Sequence, residues 1–183
     1  MLFSPAFFSL FAGASAIDIW LNWNTSNCKG SNSIHCANIG PATCCAISGQ
    51  SGSPFTSIAF REIPSNWNIE MRGHQGSQCG RHRTTQTSGG RTELCMGSGP
   101  YGGGGYSFVN KRRSDTVDLQ EECTDVVKPD IVAFTDGIQY NITQLDDDSL
   151  AEIVEIAASG GLSSDVPEEF EVYIMEERAT MEA

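Results

Sequence analysis

The sequence predicts a mainly β protein: a small antiparallel sandwich or barrel stabilised by disulfides, followed by an acidic α+β region made of a β-hairpin, a helix and a strand. Three observations predict this fold class. Apolar and polar residues alternate in several short runs, Gly and Ser fill the segments between them, and six of the seven cysteines lie within residues 17–113. A chain of 183 residues allows one or two small domains and excludes a large multidomain enzyme.

The charge of the chain is strongly uneven. The chain carries 11 Lys and Arg against 23 Asp and Glu, a net charge of −12. Residues 17–113 hold nine of the basic and four of the acidic side chains, whereas residues 114–183 hold two and nineteen. The sign changes at the tribasic sequence Lys111, Arg112 and Arg113, which suits a kexin- or furin-type processing protease. The competing interpretation is a solvated basic patch in a linker.

This asymmetry predicts a chain built from separate folding units. The expected segments are a signal peptide (1–16), a basic cysteine-rich β domain (17–110), a linker with the tribasic processing site (111–125), an acidic α+β region (126–176) and a disordered tail (177–183). In this interpretation the acidic region is a proregion that masks the basic domain until a protease removes it.

The N-terminus predicts export from the cell. Residues 1–11 are mostly apolar, and the small residues after them end in Ala14, Ser15 and Ala16. A short apolar core before an A-x-A site is typical of a secretory signal peptide, here with cleavage after Ala16. The apolar stretch is shorter than the about 20 residues that span a bilayer. We therefore expect a secreted, extracellular protein without a membrane span.

The cysteines predict a disulfide framework, as expected in an oxidising compartment. Six of them allow three bridges: Cys28, Cys36, Cys44, Cys45, Cys79 and Cys95. Neighbours in sequence are too close for a relaxed disulfide, so Cys44 and Cys45 are each expected to bind a different segment. Cys123 remains as a candidate free thiol. The chain has no C-x-x-C pair and lacks zinc-ligand spacings, so no metal or cofactor is expected.

Alternation along the basic half predicts its strands in order. Residues 17–23 alternate apolar and polar side chains and predict the first strand. A second apolar run covers residues 57–60, and residues 67–72 alternate again until Gly73, which is expected to end that strand. Further short strands are predicted at residues 91–96 and 105–109.

The acidic half predicts a hairpin, a helix and a last strand. Residues 131–134 and 138–142 flank an Asp-Gly turn that suits a hairpin. Three aspartates, residues 146–148, precede a helical apolar pattern, with Ser149 as the N-cap of a capping box. These aspartates are interpreted as a helix start rather than a cation site, because oxygen ligands do not recur at calcium-loop spacing. Residues 170–175 predict a final strand.

A resemblance to known proteins covers residues 17–109. It rests on Asp18-Ile19-Trp20, Asn27-Cys28-Lys29-Gly30, Cys44-Cys45, Trp67-Asn68-Ile69, Leu94-Cys95 and Gly105-Tyr106-Ser107-Phe108. These residues resemble small cysteine-rich secreted proteins of filamentous fungi. The part from Ser57 to Gly76 also resembles a βγ-crystallin-type Greek key, the fold of some microbial killer-toxin-like proteins. The calcium ligands of βγ domains are not matched, because Gly52 and Ser53 stand in their place.

One row of side chains is a candidate catalytic site. If the strand that contains Trp67 stays extended, Glu70, Arg72 and His74 project from one face. A carboxylate base, a cationic stabiliser and an imidazole acid are the groups that cleave RNA. A polar solvent face is the competing interpretation, and the routine alternation of half-buried strands favours it. Strong nucleic-acid motifs and the common hydrolase motifs do not occur in the sequence.

The sequence therefore favours a secreted, disulfide-stabilised, non-enzymatic interaction protein of a toxin-, effector- or cell-wall-binding kind, made as a precursor cleaved after Arg113. Its basic half is expected to bind anionic cell-surface or wall components. The alternative is a small secreted hydrolase, such as a ribonuclease, that uses Glu70, Arg72 and His74. N-x-[ST] sequons at Asn24 and Asn141 predict a glycoprotein.

Overall fold

The computed structural model describes residues 16–47, 52–109, 123 and 125–175. The strands are β1 (Ile17–Asn22), β2 (Ser33–Ile39), β3 (Thr43–Ala46), β4 (Ser57–Arg61), β5 (Ile69–Gln75), β6 (Arg81–Thr87), β7 (Leu94–Met96), β8 (Gly103–Phe108), β9 (Asp125–Val127), β10 (Ile131–Ala133) and β11 (Gln139–Asn141). The α-helix is α1 (Asp147–Ser159), and 3-10 helices span Ser77–Cys79, Ser163–Asp165 and Glu168–Tyr173.

The strands form two sheets that share one apolar core. The first sheet has the order β11-β10-β2-β1-β4-β7, and the second has the order β6-β5-β8-β3-β9. The paired strands are antiparallel except β3 and β9, which are parallel. A disulfide between Cys36 in β2 and Cys45 in β3 connects the sheets through this core. The predicted mainly β, disulfide-stabilised fold is confirmed, and it takes the form of a sandwich.

The most periodic segments form the elements that their patterns predict. In β1, Ile17, Ile19 and Leu21 are fully buried, as period-two alternation requires. The predicted hairpin is the antiparallel pair β10 and β11. Helix α1 buries one apolar stripe against the core, and it ends where Gly160 adopts the left-handed conformation of a C-cap at φ 87°.

Two expectations about the ends of elements are wrong. Gly73 does not end its strand, because β5 continues through it to Gln75. A glycine is required inside β5 because the Tyr101 ring lies where a side chain would be, 2.5 Å from an added Cβ. The N-cap of α1 is Asp146 rather than Ser149, and its carboxylate accepts a hydrogen bond from the Ser149 amide at 2.8 Å.

The expected last strand is also wrong. Residues Glu168–Tyr173 form a 3-10 helix that follows Pro167, and only Ile174 beyond it makes a bridge to Tyr140 in β11. Phe170 is the buried residue of this segment and holds it on the core. A single apolar anchor among glutamates gives no alternating face, so a short helical turn buries this segment better than a strand does.

The division of the chain into separate folding units is wrong as well. Strand β9 pairs with β3, and β10 pairs with β2, so each sheet contains strands from both sides of the tribasic sequence. The shared core likewise contains apolar residues from both sides. Charged side chains lie on the surface, whereas the apolar residues of the acidic half determine where that half of the chain packs. The predicted signal sequence up to residue 15, the tribasic sequence and the predicted tail lie outside the described residues.

The disulfides agree with the predicted framework. The bridges are Cys28–Cys95, Cys36–Cys45 and Cys44–Cys79. The adjacent Cys44 and Cys45 therefore bind different segments, as expected from their spacing, and Cys123 is a free cysteine. In the part of the chain that the structure describes, no helix is long and apolar enough to cross a membrane.

Candidate functional site

The structure brings the three candidate catalytic residues together on one face of β5. Ile69 and Met71 face the core, so Glu70, Arg72 and His74 lie on the opposite side of the strand, which we call the outer face of the second sheet. The predicted alignment of these three side chains is therefore correct. Strand β8 runs beside β5 on this face in regular antiparallel register.

Glu70 and Arg72 form an ion pair with each other. The Arg72 guanidinium donates to one Glu70 carboxylate oxygen from Nε at 3.0 Å and from Nη2 at 2.7 Å. Nη2 also donates to the Ser107 hydroxyl on β8 at 3.1 Å. The Arg72 side chain is 17% exposed and that of Glu70 is 33% exposed, so the two form a half-buried ion pair. The carboxylate oxygen that accepts both bonds is already occupied by Arg72, so it is not free to contact a substrate as a general base.

His74 is buried rather than open to a substrate. Its side chain is 4% exposed, and its Nε2 lies 3.8 Å from the Cys123 sulfur. Burial, with smaller contributions from His82 and Arg72, lowers the pKa of His74 to about 4. The imidazole is therefore neutral at neutral pH, whereas a general acid must carry a proton there. This environment favours the interpretation of the row as a structural feature of the sheet.

A second buried histidine lies on the first sheet. His35 in β2 stacks on the Trp20 ring, with ring centroids 3.8 Å apart, and Arg61 lies over the same Trp20 ring at 4.1 Å. Burial, with a further contribution from Arg61, lowers the pKa of His35 to about 3. Nothing in the sequence pattern separates His35 from an ordinary polar residue, because its burial comes from strands on both sides of β2.

The buried histidines predict acid sensitivity. An unfolded histidine takes up a proton near pH 6.5, whereas folded His35 and His74 resist protonation until about pH 3 and about pH 4. Their contribution to stability is therefore complete above pH 6.5 and falls with decreasing pH, by about 1.4 kcal/mol per pH unit for each histidine. Urea unfolding between pH 7 and pH 5 measures this slope. In the variant His74→Gln this slope should be about half as steep, because one of the two histidines is removed. An unchanged slope would contradict the lowered pKa of His74.

Three cysteines and His74 form a compact group on the outer face, which we call the sulfur cluster. Cys44 and Cys79 are bridged, and Cys123 lies beside them as a free thiol. The Cys44 sulfur, the Cys123 sulfur and a ring nitrogen of His74 lie within 4.8 Å of one another. Burial raises the pKa of the Cys123 thiol. Sequence spacing missed this cluster because its members come from distant segments.

The sulfur cluster has the donor types of a metal site but not the free ligands. A structural zinc site uses four thiolate or imidazole ligands. With the Cys44–Cys79 bridge in place, Cys44 and Cys79 have no thiolate to offer. Cys123 and His74 then remain as two ligands. The expectation of no metal therefore stays a prediction for the bridged protein.

Strand β6 is a basic edge of the second sheet. Arg81, His82 and Arg83 are all exposed, and among the described strands β6 pairs on one side only, with β5. Arg81 donates to the Gln75 side chain at 3.2 Å, and Arg83 donates to the Ser98 carbonyl at 2.8 Å. These acceptors orient the guanidinium groups but carry no negative charge. Among the described residues, the ion pairs are Arg61 with Glu93 and Arg72 with Glu70, so the β6 arginines are not neutralised.

A shallow cleft adjoins the start of β6. Its volume is about 420 Å³, and its lining residues are Gln75, Gly76, Ser77, Gly80 and Arg81. Glycine and short polar side chains leave the backbone accessible there, and Arg81 adds a positive charge. Sequence patterns do not single out Arg81, His82 and Arg83, because the exposed edge exists only after β6 pairs with β5.

The predicted glycosylation and cleavage sites lie outside strand β6. Asn24 is exposed, but its amide donates to the Ala158 carbonyl at the end of α1 at 3.0 Å. Asn141 is exposed in β11, and its side-chain oxygen accepts from Thr143. A glycan on Asn24 would be attached to the same side-chain nitrogen that donates to the Ala158 carbonyl. Ala16 directly precedes β1, so cleavage after it would leave the first sheet intact.

Comparisons with known proteins give a family for this part of the chain. The family described as ARB_05566_N, an N-terminal domain, matches residues 18–130. The matched range continues past the tribasic sequence and contains all strands from β1 to β9 except the first residue of β1. No curated protein and no solved structure matches the chain significantly.

Proposed function

The chain belongs to the ARB_05566_N family, and we propose that it is a secreted, disulfide-stabilised, non-enzymatic interaction protein that binds phosphate-bearing wall polymers through strand β6. The positive charge on the exposed β6 edge, with which no described acidic residue forms an ion pair, carries the proposal. Arg81 and Arg83 are held by neutral acceptors, so their charge remains available to an anion. The expected resemblance to secreted fungal proteins and the three disulfides support an extracellular role.

The composition of β6 favours a polysaccharide over a membrane. After its basic start, β6 continues with Thr84, Thr85, Gln86 and Thr87, and six of its seven residues are exposed. Hydroxyl and amide groups on a flat strand suit hydrogen bonds to sugars. Binding to a phospholipid surface would need apolar or aromatic side chains that enter the interface. Strand β6 contains none.

A hydrolase is less well supported by the same geometry. Glu70 is paired with Arg72, and His74 is neutral and buried beside Cys123. A general base needs a carboxylate that is free to contact the substrate, and a general acid needs an exposed, protonated imidazole. Glu70 and His74 do not meet these requirements for cleavage of RNA. A non-enzymatic role for this face is therefore the better proposal.

The proposal predicts a loss of polymer binding when β6 loses charge. We expect Arg81→Gln with Arg83→Gln to weaken binding to phosphorylated mannan by about tenfold, since each exposed ionic contact contributes about 0.5–1 kcal/mol. Binding of the unchanged protein should weaken as salt increases. Dephosphorylated mannan and phosphatidylserine vesicles distinguish phosphate on sugar from phosphate on lipid.

The matched control removes two positive charges at positions outside β6. Lys29 and Lys128 are both exposed and lie outside β6, in the loop after β1 and in the segment after β9. The double variant Lys29→Gln with Lys128→Gln should retain binding within about twofold. Equal losses in the two double variants would show that net charge alone is responsible. Stronger binding to the vesicles than to the mannan would also refute the proposal.

We also propose that a protease cleaves the chain after Arg113, but with a different product from the one that the sequence predicts. Lys111, Arg112 and Arg113 lie in the connection between β8 and β9. Because β9 and β10 hydrogen-bond to strands of both sheets, cleavage in this connection would produce a two-chain protein rather than release a basic domain. Strand β6 stays on the surface in either form, so polymer binding does not depend on cleavage.

A further inference from the structure

The sulfur cluster places one disulfide beside a third, unbonded sulfur. Cys44 lies in β3 and Cys79 ends the 3-10 helix after β5, whereas Cys123 comes from the segment just before β9. The Cys44 sulfur and the Cys123 sulfur are within 4.8 Å of each other. Two sulfur atoms are therefore neighbours of Cys44, and only one of them can be bonded to it.

The glycines of β8 make room for both neighbours. A Cβ added to Gly103 would lie 2.7 Å from the Cys79 sulfur, and a Cβ added to Gly105 would lie 2.9 Å from the Cys123 sulfur. Real Cβ atoms do not approach sulfur this closely, so any other residue at either position would displace a sulfur. Strand β8 thus holds Cys79 and Cys123 side by side against Cys44.

We propose that the sulfur cluster is a thiol–disulfide exchange site in which Cys79 and Cys123 compete for Cys44. The Cys123 thiolate attacks the Cys44 sulfur, the Cys44–Cys123 bond forms, and the Cys44–Cys79 bond breaks to release the Cys79 thiolate. The proton that Cys123 loses is returned to Cys79. One disulfide and one thiol are present before and after the step, so no external oxidant or reductant is consumed.

His74 positions the attacking sulfur. Its neutral imidazole lies 3.8 Å from Cys123 through Nε2 and can accept the thiol hydrogen. Burial raises the pKa of the Cys123 thiol, and the positive charge of Arg72, on the same strand as His74, partly offsets this effect. His74 is a positioning residue, since it acts through Cys123 and forms no bond to Cys44.

The exchange changes which parts of the chain are covalently connected. The three bridges of the structure all join residues between Cys28 and Cys95, before the tribasic sequence. A Cys44–Cys123 bridge would instead connect β3 to the segment that leads into β9, across that sequence. Exchange would therefore decide whether a chain cut after Arg113 remains covalently joined. The exchange itself is independent of polymer binding.

Removing one competitor tests the proposal. In the full chain, Cys79→Ser should place Cys44 and Cys123 in a single disulfide, and the peptide that contains both should rise at least tenfold over the unchanged protein. Peptide mapping without reduction, after acid quenching and alkylation, measures this product. In the unchanged protein kept in a glutathione redox buffer, the alkylated free thiol should divide between Cys123 and Cys79.

A matched variant frees a thiol outside the cluster. Cys28→Ser releases Cys95, which lies on β7 of the first sheet, and Cys95 should not pair with Cys123. In His74→Ala the exchange in redox buffer should be slower, while the final products stay the same. Alkylation of Cys123 alone in the unchanged protein at all times would overturn the proposal. Separate free thiols on Cys44 and Cys123 in the folded Cys79→Ser variant would overturn it too. If that variant does not fold, the experiment on the unchanged protein in redox buffer tests the proposal by itself.

Discussion

A chain that ends at Arg113 is expected not to fold. This truncation removes α1 and the strands β9, β10 and β11, which form one edge of each sheet. It also removes core residues that are at most 5% exposed: Val132, Phe134, Tyr140, Ile142, Ile153, Val154, Ala157 and Phe170. Burial of each large apolar side chain contributes about 1.5–3 kcal/mol, so the total loss is at least comparable with the about 5–15 kcal/mol that stabilises a typical domain.

Urea unfolding of residues 17–113, followed by tryptophan fluorescence, should show no cooperative transition. The control is the full chain folded first and then cleaved after Arg113. The fragments of that control should elute together under native conditions, because the strand pairs across the cut remain. A cooperative transition in the truncated chain would mean that the basic half is a domain in its own right, and the shared core would then be wrong.

Gly102→Ala is expected to destabilise the protein by about 3 kcal/mol or more. Gly102 is buried before β8, and its amide donates to the His74 carbonyl at 2.7 Å. A Cβ at this position would overlap the Gly76 carbonyl oxygen and lie 3.2 Å from that of Gly52. Both neighbours are backbone atoms, so the overlap can be relieved only by moving the chain and breaking the hydrogen bond to His74.

Gly40→Ala is the matched control for this prediction. An added Cβ at Gly40 meets no atom within 4 Å, and its φ is not in the left-handed region. We expect no loss at this position, and a gain of up to about 1 kcal/mol because alanine restricts the unfolded chain. Urea unfolding of both variants gives the comparison. Similar midpoints for the two would show that close approach of the backbone at Gly102 is not required.

The elements that could be predicted from sequence are those whose own residues determine their burial. The alternation of β1 places Ile17, Ile19 and Leu21 on the core side, and the structure confirms it. The same holds for the hairpin of β10 and β11 and for the apolar stripe of α1. The cysteine spacing also predicted that Cys44 and Cys45 bind different segments, because neighbouring residues cannot form a relaxed bridge.

Other elements depend on contacts that sequence patterns do not contain. Strand β6 has almost no buried side chain, so only its hydrogen bonds to β5 make it a strand. Strand β9 lies within a highly acidic segment and forms through its parallel pairing with β3. The burial of His74 and its distance to Cys123 likewise depend on distant segments. The interpretation of this row as a polar solvent face is therefore wrong for His74, whose side chain is buried.

By itself, the sequence determined the fold class, the six-cysteine framework, the fully alternating strands and the helix, because periodicity and composition act over a few neighbouring residues. It also determined where the charge changes sign. Only the tertiary structure decided that this change is not a boundary between folding units, since apolar residues on both sides fill one core. The partners of each cysteine and the basic edge of β6 were decided there too, because long-range strand pairing brings those residues together.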